Sequence, residues 1–238
     1  MSTQAVSTER LDGGVLLCHI DDGKANALSK DIIASVLAAL DEAESDDSVT
    51  SFVVHGREGK FSAGFDLNVM RSGDLAAMSD LVSDGGELVR RLYDASVPVV
   101  AACTGHALAA GALVLLGCDV RVGADIDCKI GLNEVAIGMV LPDWAFTISL
   151  ARLSNRHVQR SVATARITNA ADAVDVGYLD EVAPADQVLD VAVARAAEFA
   201  ALHPGAYRGT VAKLRGEVVS TMAAQIAADR SAGATPTV

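Results

Sequence analysis

One carboxylate in this 238-residue sequence stands in surroundings that favour proton transfer. Glu134 lies in residues 131–138 (GLNEVAIG), a stretch that is otherwise mostly aliphatic and is flanked by glycines. If such a carboxyl group is buried without a cation beside it, its pKa rises toward neutrality, which suits a general base. A surface glutamate in a loop is the alternative, and composition does not separate the two.

Two segments of small residues could bind an oxygen atom that becomes negatively charged. Residues 61–66 (FSAGFD) and 105–111 (GHALAAG) each follow a predicted buried strand and precede a predicted helix. Backbone N–H groups at such a junction are unpaired, and small side chains let a ligand approach them. Two such loops that face each other could donate one N–H each to a single oxygen, which is an oxyanion hole. From residue types alone, tight turns needed for packing are the more common explanation.

Motifs for other chemistries are missing from the sequence. There is no GxGxxG or GxxxxGK[ST] phosphate loop and no GxSxG nucleophile elbow. The five histidines are scattered, and the four cysteines show no CxxC spacing. We therefore expect buried free thiols and structural or surface histidines, with no metal site and no disulfides.

The apolar pattern places these segments in an α/β chain of alternating strands and helices. It predicts strands at 15–20, 51–55, 98–103, 120–123 and near 179–182, and loops at 59–64 and 105–111. It predicts one helix capped by Ser29 and reaching about residue 44, and another over 75–93 with a weak point at Gly85-Gly86. Residues 129–141 read as a structured loop, the chain is mainly helical from Asp143, and residues 231–238 read as a frayed polar tail.

Composition limits the possible binding partners and the expected cellular compartment. Hydrophobic residues make up 51% of the chain, enough for a sizeable core, and the net charge of −12 makes nucleic acid an unfavourable partner. The start of the chain lacks the features of a signal peptide, and the longest apolar run, residues 107–118, is too short for a bilayer. We expect a cytoplasmic protein that binds neither nucleic acid nor membrane.

In this order and at these separations, the three segments resemble the crotonase (enoyl-CoA hydratase/isomerase) superfamily, from about residue 15 to about residue 213. Residues 24–28 (KANAL) resemble the loop that holds the adenine end of coenzyme A, and 61–66 and 105–119 resemble the two oxyanion loops. The resemblance implies that the N–H groups of Ala63 and Ala110 are the oxyanion donors. It implies substrate contacts at Lys24, Ala25, Asn26, Gly64, Phe65, Asp66, Leu67, Gly111, Leu113, Asn133, Pro142, Trp144 and Lys213.

Hydratases of this superfamily carry two carboxylates, at the positions of Leu113 and Glu134. Here the first position is apolar, so water addition should be impaired, whereas one base can still catalyse a 1,3-proton shift. The residues around Glu134, together with Pro142 and Trp144, resemble the mitochondrial-type Δ3,Δ2-enoyl-CoA isomerases, which also have an apolar residue at the Leu113 position. The expected function is thus isomerisation of a 3-enoyl-CoA thioester through a dienolate, with Glu134 as the single base.

Two other functions stay open at this stage. Asp143 is expected to be the N-cap of a helix, but it could instead supply a second carboxylate for an enoyl-CoA hydratase-like lyase. Loss of one carboxylate also leaves room for a catalytically silent acyl-CoA-binding protein. Trp144 is either a wall of the acyl pocket or plain core.

The resemblance also implies an architecture and an assembly. Repeated ββα turns form a spiral with two roughly perpendicular sheets in residues 1–190, which hold the acyl-CoA site, and residues 191–238 form a helical region that assists trimer formation. Coenzyme A enters as part of the substrate, with no separate cofactor, and the protein is expected to be a homotrimer or hexamer. Because coenzyme A is anionic, this acidic chain must place cations locally. Lys213, Arg215 and Lys60 are the candidates, with a solvated helix face as the alternative for the first two.

Overall fold

The computed structural model of the chain describes residues 5–232, which form nine strands and nine α-helices. The strands are β1 (Val6–Leu11), β2 (Val15–Ile20), β3 (Ser51–His55), β4 (Gly59–Ser62), β5 (Val99–Cys103), β6 (Gly105–Leu108), β7 (Val120–Ala124), β8 (Ile130–Gly131) and β9 (Glu181–Ala183). The helices are α1 (Lys30–Ser45), α2 (Leu67–Met70), α3 (Leu75–Tyr93), α4 (Ala110–Gly117), α5 (Asp143–Arg152), α6 (Val158–Val162), α7 (Ala170–Val176), α8 (Val188–Glu198) and α9 (Pro204–Ala232).

The strands form two sheets that the chain visits in turn. The larger has the order β1-β2-β3-β5-β7-β9, antiparallel between β1 and β2 and parallel elsewhere, and the smaller has the order β4-β6-β8. In the pairs β3–β4, β5–β6 and β7–β8, the first strand lies in the large sheet and the second in the small one. The predicted α/β class and ββα repeat are confirmed.

The loops predicted at 59–64 and 105–111 were wrong in part, because each begins with a strand of the small sheet. Gly59 pairs with Gly105 and Lys60 with His106, in parallel register. Backbone hydrogen bonds can hold strands this short without the alternation of side chains that a sequence pattern detects. Strand β1 was not predicted either, since it is an edge strand whose central side chains are exposed.

The large sheet is covered on both faces. Alternate residues such as Leu16, Phe52 and Val54 face the core built with α1, α3, α4 and α5. The intervening residues, Val53 and Val100 among them, face α8. Helix α9 packs along α3 and α5 and adds its buried side chains to the first core. The division expected between residues 190 and 191 falls inside α8, which packs on the large sheet.

Of the helix features predicted from local sequence, the cap of α1 agrees with the structure and the weak point in α3 does not. The predicted cap of α1 is confirmed, since Ser29 Oγ accepts from the N–H of Ile32 at 3.3 Å. The predicted weak point in α3 was wrong, because the helix runs unbroken through Gly85 and Gly86. Helix α9 includes residues 231 and 232, and the rest of the predicted tail lies outside the described residues. None of the helices in residues 5–232 has the length and hydropathy needed to cross a bilayer.

Candidate active site

An open pocket of about 230 Å³ brings together the segments that the sequence singled out. Its walls come from the two small-residue loops, α2, α3, α4, the start of α5 and the segment that precedes it. The lining residues are Ala63, Phe65, Leu67, Met70, Arg71, Val82, Ala109, Leu113, Asn133, Glu134, Ile137, Met139, Val140, Leu141, Pro142 and Trp144. Most of these side chains are apolar, so the pocket suits an aliphatic chain with a few polar groups placed to orient it.

Glu134 is the one acidic side chain among the described residues that line this pocket. It is 9% exposed, and its Oε2 is buried without a hydrogen-bond partner in the described part of the chain. No lysine, arginine or histidine of residues 5–232 forms an ion pair with it. Burial raises the pKa of Glu134 to about 7, against the opposing effect of the backbone N–H groups of Glu134 and Asn133. The alternative of an exposed surface glutamate was therefore wrong.

The segment that carries Glu134 is held by its own backbone. The Glu134 carbonyl accepts from the N–H groups of Ile137 and Met139 at 3.0 and 2.9 Å. Residues Val135–Ile137 form a 3-10 turn that ends at Gly138 with φ of +77°, a conformation that glycine adopts without strain. Gly138 in the sequence pattern thus reflects the turn that follows Glu134, whose side chain lines the pocket.

The second small-residue loop presents a free backbone donor where α4 begins. The N–H of Ala109 is bound to the carbonyl of Gly131 at 3.0 Å, whereas the N–H of Ala110 has no acceptor within residues 5–232. Ala109 has φ of 51° and ψ of −125°, which is strained for a residue with a Cβ atom. This strained turn exposes the start of α4, and it supports the predicted donor role of Ala110.

The first loop departs from the prediction, because the N–H of Ala63 is already occupied. It donates to the carbonyl of Ala25 at 3.0 Å, so it was wrong to name Ala63 as an oxyanion donor. The N–H of Phe65, by contrast, has no acceptor in the described chain. Leu28 bonds to the residues on either side, Gly64 and Asp66, so the N–H of Phe65 points the other way. The alternation that frees Phe65 depends on pairing with Leu28, which the sequence does not reveal.

The two free donors belong to loops in direct contact. A Cβ atom built on Gly64 would lie 3.0 Å from Cβ of Ala109 and 3.4 Å from N of Ala110, and Gly64 has φ of +93°. A side chain at residue 64 would therefore push the loops apart. The structure places the N–H groups of Phe65 and Ala110 at the junction of these loops, as an oxyanion hole requires.

The second carboxylate position of the resemblance is apolar in the folded protein as well. Leu113 is 1% exposed and lines the pocket one helical turn after Ala110. Asp143 does not replace it, because it is exposed and is not part of the pocket lining. The prediction that Asp143 is the N-cap of α5 was also wrong, since Pro142 holds that position and Asp143 is the first helical residue.

Trp144 is both a pocket wall and a core residue. It is fully buried, and it packs where a Cβ atom of Gly86 would otherwise lie, 2.8 Å from its ring. Gly85 makes the same kind of room for the ring of Phe65, 2.3 Å from a built Cβ atom. Because these two rings need the space, α3 contains two glycines even though glycine weakens an isolated helix.

The loop expected to hold the coenzyme borders a separate groove of about 430 Å³, lined in part by Lys24 and Asp66. The side chain of Asn26 is wholly buried and donates to the carbonyls of Ile20, Lys60 and Phe61 at 2.7, 3.3 and 3.3 Å. The Asn26 side chain therefore shapes the loop, and contact between this residue and substrate stays a prediction. Asp22 completes the loop by accepting from the N–H groups of residues 24, 26 and 27.

Other predicted contacts fall outside the pocket. Gly111 is buried against the carbonyl of Ser62, which a built Cβ atom would approach to 2.4 Å, so its role is to pack α4 on β4. Arg215 is buried in an ion pair with Asp119, which excludes it as a phosphate contact. Lys213 is exposed on α9 and lines neither the pocket nor the groove. Its contact with coenzyme A stays a prediction.

The pocket also contains residues that the sequence pattern did not indicate. Met70 enters the lining from α2, Arg71 from the residue directly after it, and Met139 from the segment after Glu134. The spacing of Leu67, Met70 and Arg71 marks one helix face, but α2 is a single turn and too short for periodicity to detect. Within residues 5–232, no cluster of three or more histidine, cysteine or carboxylate side chains is suited to hold a metal ion.

Comparison with known proteins is consistent with this geometry. A family model described as "Enoyl-CoA hydratase/isomerase" matches residues 10–236. The human protein "Enoyl-CoA delta isomerase 1, mitochondrial" is 31% identical over 219 residues, 91% of this chain and 72% of that protein; the match to its mouse counterpart covers 61% of the relative. A "Probable enoyl-CoA hydratase" from Bacillus subtilis is also 31% identical, over 82% of this chain and 76% of the relative.

Solved structures show the same fold. An apo structure of an enoyl-CoA isomerase from Mycobacterium tuberculosis superposes with a TM-score of 0.90 and 36% identity, over 96% of this chain and 98% of that one. Similarity over nearly the full length of both chains confirms the predicted architecture.

Proposed function

The chain belongs to the enoyl-CoA hydratase/isomerase family, and we propose that it moves the double bond of a 3-enoyl-CoA thioester from C3 to C2, with Glu134 as its single base. The observation that carries this proposal is the composition of the pocket. Among its described lining residues Glu134 is the only acid, and the residue that α4 contributes to the lining is Leu113. Water addition needs a group to position the water and another to deliver its proton, whereas a 1,3-proton shift needs one base that acts twice.

The proposed reaction uses the free backbone donors at the loop junction. The thioester oxygen accepts hydrogen bonds from the N–H groups of Phe65 and Ala110, and ionised Glu134 removes a proton from C2. The electron pair of the broken C–H bond forms the C1–C2 double bond of a dienolate, and the negative charge moves to the thioester oxygen. When the dienolate collapses, a double bond forms between C2 and C3, and C4 takes back the proton from Glu134. One oxyanion donor is typically worth about a hundred- to a thousandfold in rate.

The environment of Glu134 suits both half-reactions. A base with a pKa of about 7 is partly ionised at neutral pH, and its protonated form still returns a proton readily. The carboxyl group needs to reach only C2 and C4 on the same face of the chain. The apolar walls, including Leu113 and Trp144, keep water away from the dienolate.

The test uses purified protein with cis- and trans-3-hexenoyl-CoA and follows formation of the 2-enoyl-CoA. We expect conversion by the wild type, and a loss of about a hundred- to ten-thousandfold in kcat for Glu134→Gln. A substrate deuterated at C2 should yield product that carries part of the label at C4, because one base handles the same proton twice.

Asp143→Asn is the matched control, because this exposed carboxylate does not line the pocket. It should isomerise at the wild-type rate. Hydration of 2-hexenoyl-CoA that is lost in Asp143→Asn would instead support the hydratase-like lyase, which the name of the Bacillus subtilis relative brings into consideration. Tight binding of acyl-CoA without turnover would support a silent binding protein.

A further inference from the structure

One charged side chain in the pocket has no part in the proposed reaction. Arg71 is the sole cation among the described lining residues, and its neighbours on α2, Leu67 and Met70, are apolar. Residues spaced by three and four positions share one face of a helix, so Leu67, Met70 and Arg71 face the pocket together. Arg71 is exposed at the edge of this aliphatic lining, so its charged group stays in contact with water while its stem borders the pocket.

Arg71 also lacks the carboxylate partner that most arginines of this chain have. Nine arginines form ion pairs within residues 5–232, and Arg71 is not one of them. The acids nearest to it in sequence are used elsewhere. Asp66 accepts from the N–H of Asn68 at 2.8 Å and Asp74 from the N–H of Ala77 at 3.0 Å, so each caps a helix. In a protein of net charge −12, an arginine left free at a pocket is available for an anion of the ligand.

The position of Arg71 indicates which end of the ligand that anion occupies. The thioester oxygen is expected at the N–H of Phe65, just before α2, whereas Arg71 follows the last residue of α2. The five steps from Asp66 to Arg71 cover about 7.5 Å at the helical rise of about 1.5 Å per residue. An acyl chain that runs along this face would bring its far end, not its thioester, to the guanidinium group.

From this arrangement we propose that Arg71 binds a carboxylate at the far end of the acyl group, so that the substrates are thioesters of medium-length dicarboxylic acids. This inference depends on the proposed function only in assuming that the pocket holds the acyl chain of an acyl-CoA. A carboxylate and a guanidinium group form paired, charge-assisted hydrogen bonds, which a methyl end cannot form. Arg71 is then a specificity-determining residue. The reaction at Glu134 is the same for acyl groups that end in a carboxylate and for those that end in a methyl group.

The test measures binding of saturated thioesters by calorimetry, because these cannot isomerise and therefore report on Arg71 whatever the reaction is. The ligands are octanoyl-CoA and the coenzyme A monothioester of octanedioic acid. We expect the wild type to prefer the dicarboxylic ligand by about three- to tenfold, as for a charge-assisted hydrogen bond near the surface, and added salt to reduce the preference. Arg71→Gln should abolish the preference, because it lowers the affinity for the dicarboxylic ligand by more than the affinity for octanoyl-CoA.

Arg156→Gln is the control, since Arg156 is exposed, forms no ion pair in the described chain and lies outside the pocket. It should retain the full preference. Equal loss of affinity for both ligands in Arg71→Gln would mean that Arg71 contacts a phosphate of coenzyme A, and this would overturn the proposal. A wild type that binds octanoyl-CoA at least as tightly as the dicarboxylic ligand would overturn it too.

Discussion

At the scale of the residue, the proposed chemistry depends on two side chains that line one pocket. Glu134 is buried without a cation, and Leu113 occupies the place of a second carboxylate. Had either been different, the pocket would suit another reaction. A cation beside Glu134 would hold its pKa low and weaken it as a base. A carboxylate at residue 113 would supply the second group that water addition needs.

The activity should depend on pH in the direction set by Glu134. A general base acts when deprotonated, so kcat/KM should be low in acid, rise as pH passes about 7 and level off above it. An ordinary glutamate would give its rise near pH 4.5. The measurement is a pH profile of kcat/KM with 3-hexenoyl-CoA. A flat profile between about pH 5.5 and 8.5 would contradict the assignment of a buried base.

The same raised pKa predicts that the base destabilises the fold at neutral pH. The folded-state pKa of about 7 exceeds the ordinary value of 4.5, so the stability that Glu134 contributes is full below pH 4.5 and is lost as pH rises through 7. Glu134→Gln removes the buried charge, and the shift corresponds to a gain of about 1 to 3 kcal/mol in the free energy of unfolding at pH 8. Urea denaturation at pH 5 and pH 8 checks this. A variant less stable than the wild type at pH 8 would show that the carboxylate is stabilised by a contact not accounted for.

At the scale of the element, α3 shapes the pocket because two of its residues have no side chain. Gly85 and Gly86 leave space at two successive positions of the helix, and the rings of Phe65 and Trp144 fill it. Phe65 belongs to the loop that carries one proposed oxyanion donor, and Trp144 lies in the first turn of the helix that follows the Glu134 segment. This short segment of α3 therefore contacts both sides of the site.

Substituting the two glycines should produce different effects. In Gly86→Ala the new Cβ would meet fully buried Trp144, which cannot move aside, so we expect a loss of about 1 to 3 kcal/mol in stability. In Gly85→Ala it would meet the partly exposed ring of Phe65, which can shift. Stability should then change little while kcat/KM falls, because the donor loop moves with the ring. Thermal denaturation and isomerase kinetics together distinguish the two.

Gly216→Ala is the control for this pair, because a Cβ at this position on α9 meets nothing within 4 Å. It should gain up to about 1 kcal/mol from helix propensity and leave the activity unchanged. Loss of stability in Gly85→Ala equal to that in Gly86→Ala would mean that Phe65 is as rigidly held as Trp144.

At the scale of the whole molecule, one buried cluster ties the C-terminal helix to the sheet. Arg215 of α9 pairs with Asp119, donates to the carbonyl of Tyr93 at 2.8 Å and lies over the Tyr93 ring, 4.7 Å from its centroid. Asp119 also accepts from the N–H of Val99 at 2.8 Å and from the hydroxyl of Tyr207 at 3.1 Å. The cluster joins α9, α3 and the start of β5. The homotrimer or hexamer implied by the resemblance stays a prediction.

Breaking this cluster should cost more than any exposed ion pair of the chain. Arg215→Met leaves Asp119 as a buried charge without its cation, so we expect a loss of about 3 to 5 kcal/mol in the free energy of unfolding. Arg208→Met, at an exposed position of the same helix, should change stability by less than about 0.5 kcal/mol. Chemical denaturation measures both. The double variant Arg215→Met, Asp119→Asn should recover part of the loss, and no recovery would mean that packing of the arginine stem dominates.

The sequence by itself determined the alternation of strands and helices, the start of α1 at Ser29 and the apolar surroundings of Glu134. These follow from periodicity, capping and composition, which act over a few neighbouring residues. That the three segments meet around one pocket could also be predicted, because their order matched a known family.

Only the tertiary structure decided which backbone groups are free. Ala63 and Phe65 are two residues apart in one loop, yet Ala25 occupies the N–H of the first, and pairing at Leu28 turns that of the second outward. Asn26 and Arg215 look like ligand-binding residues by type, but burial gives both a structural role. Arg71, which no pattern singled out, reaches the pocket because a single helical turn aims it there. Hydrogen-bond partners and burial arise from contacts distant in sequence, so they become visible only when the chain is folded.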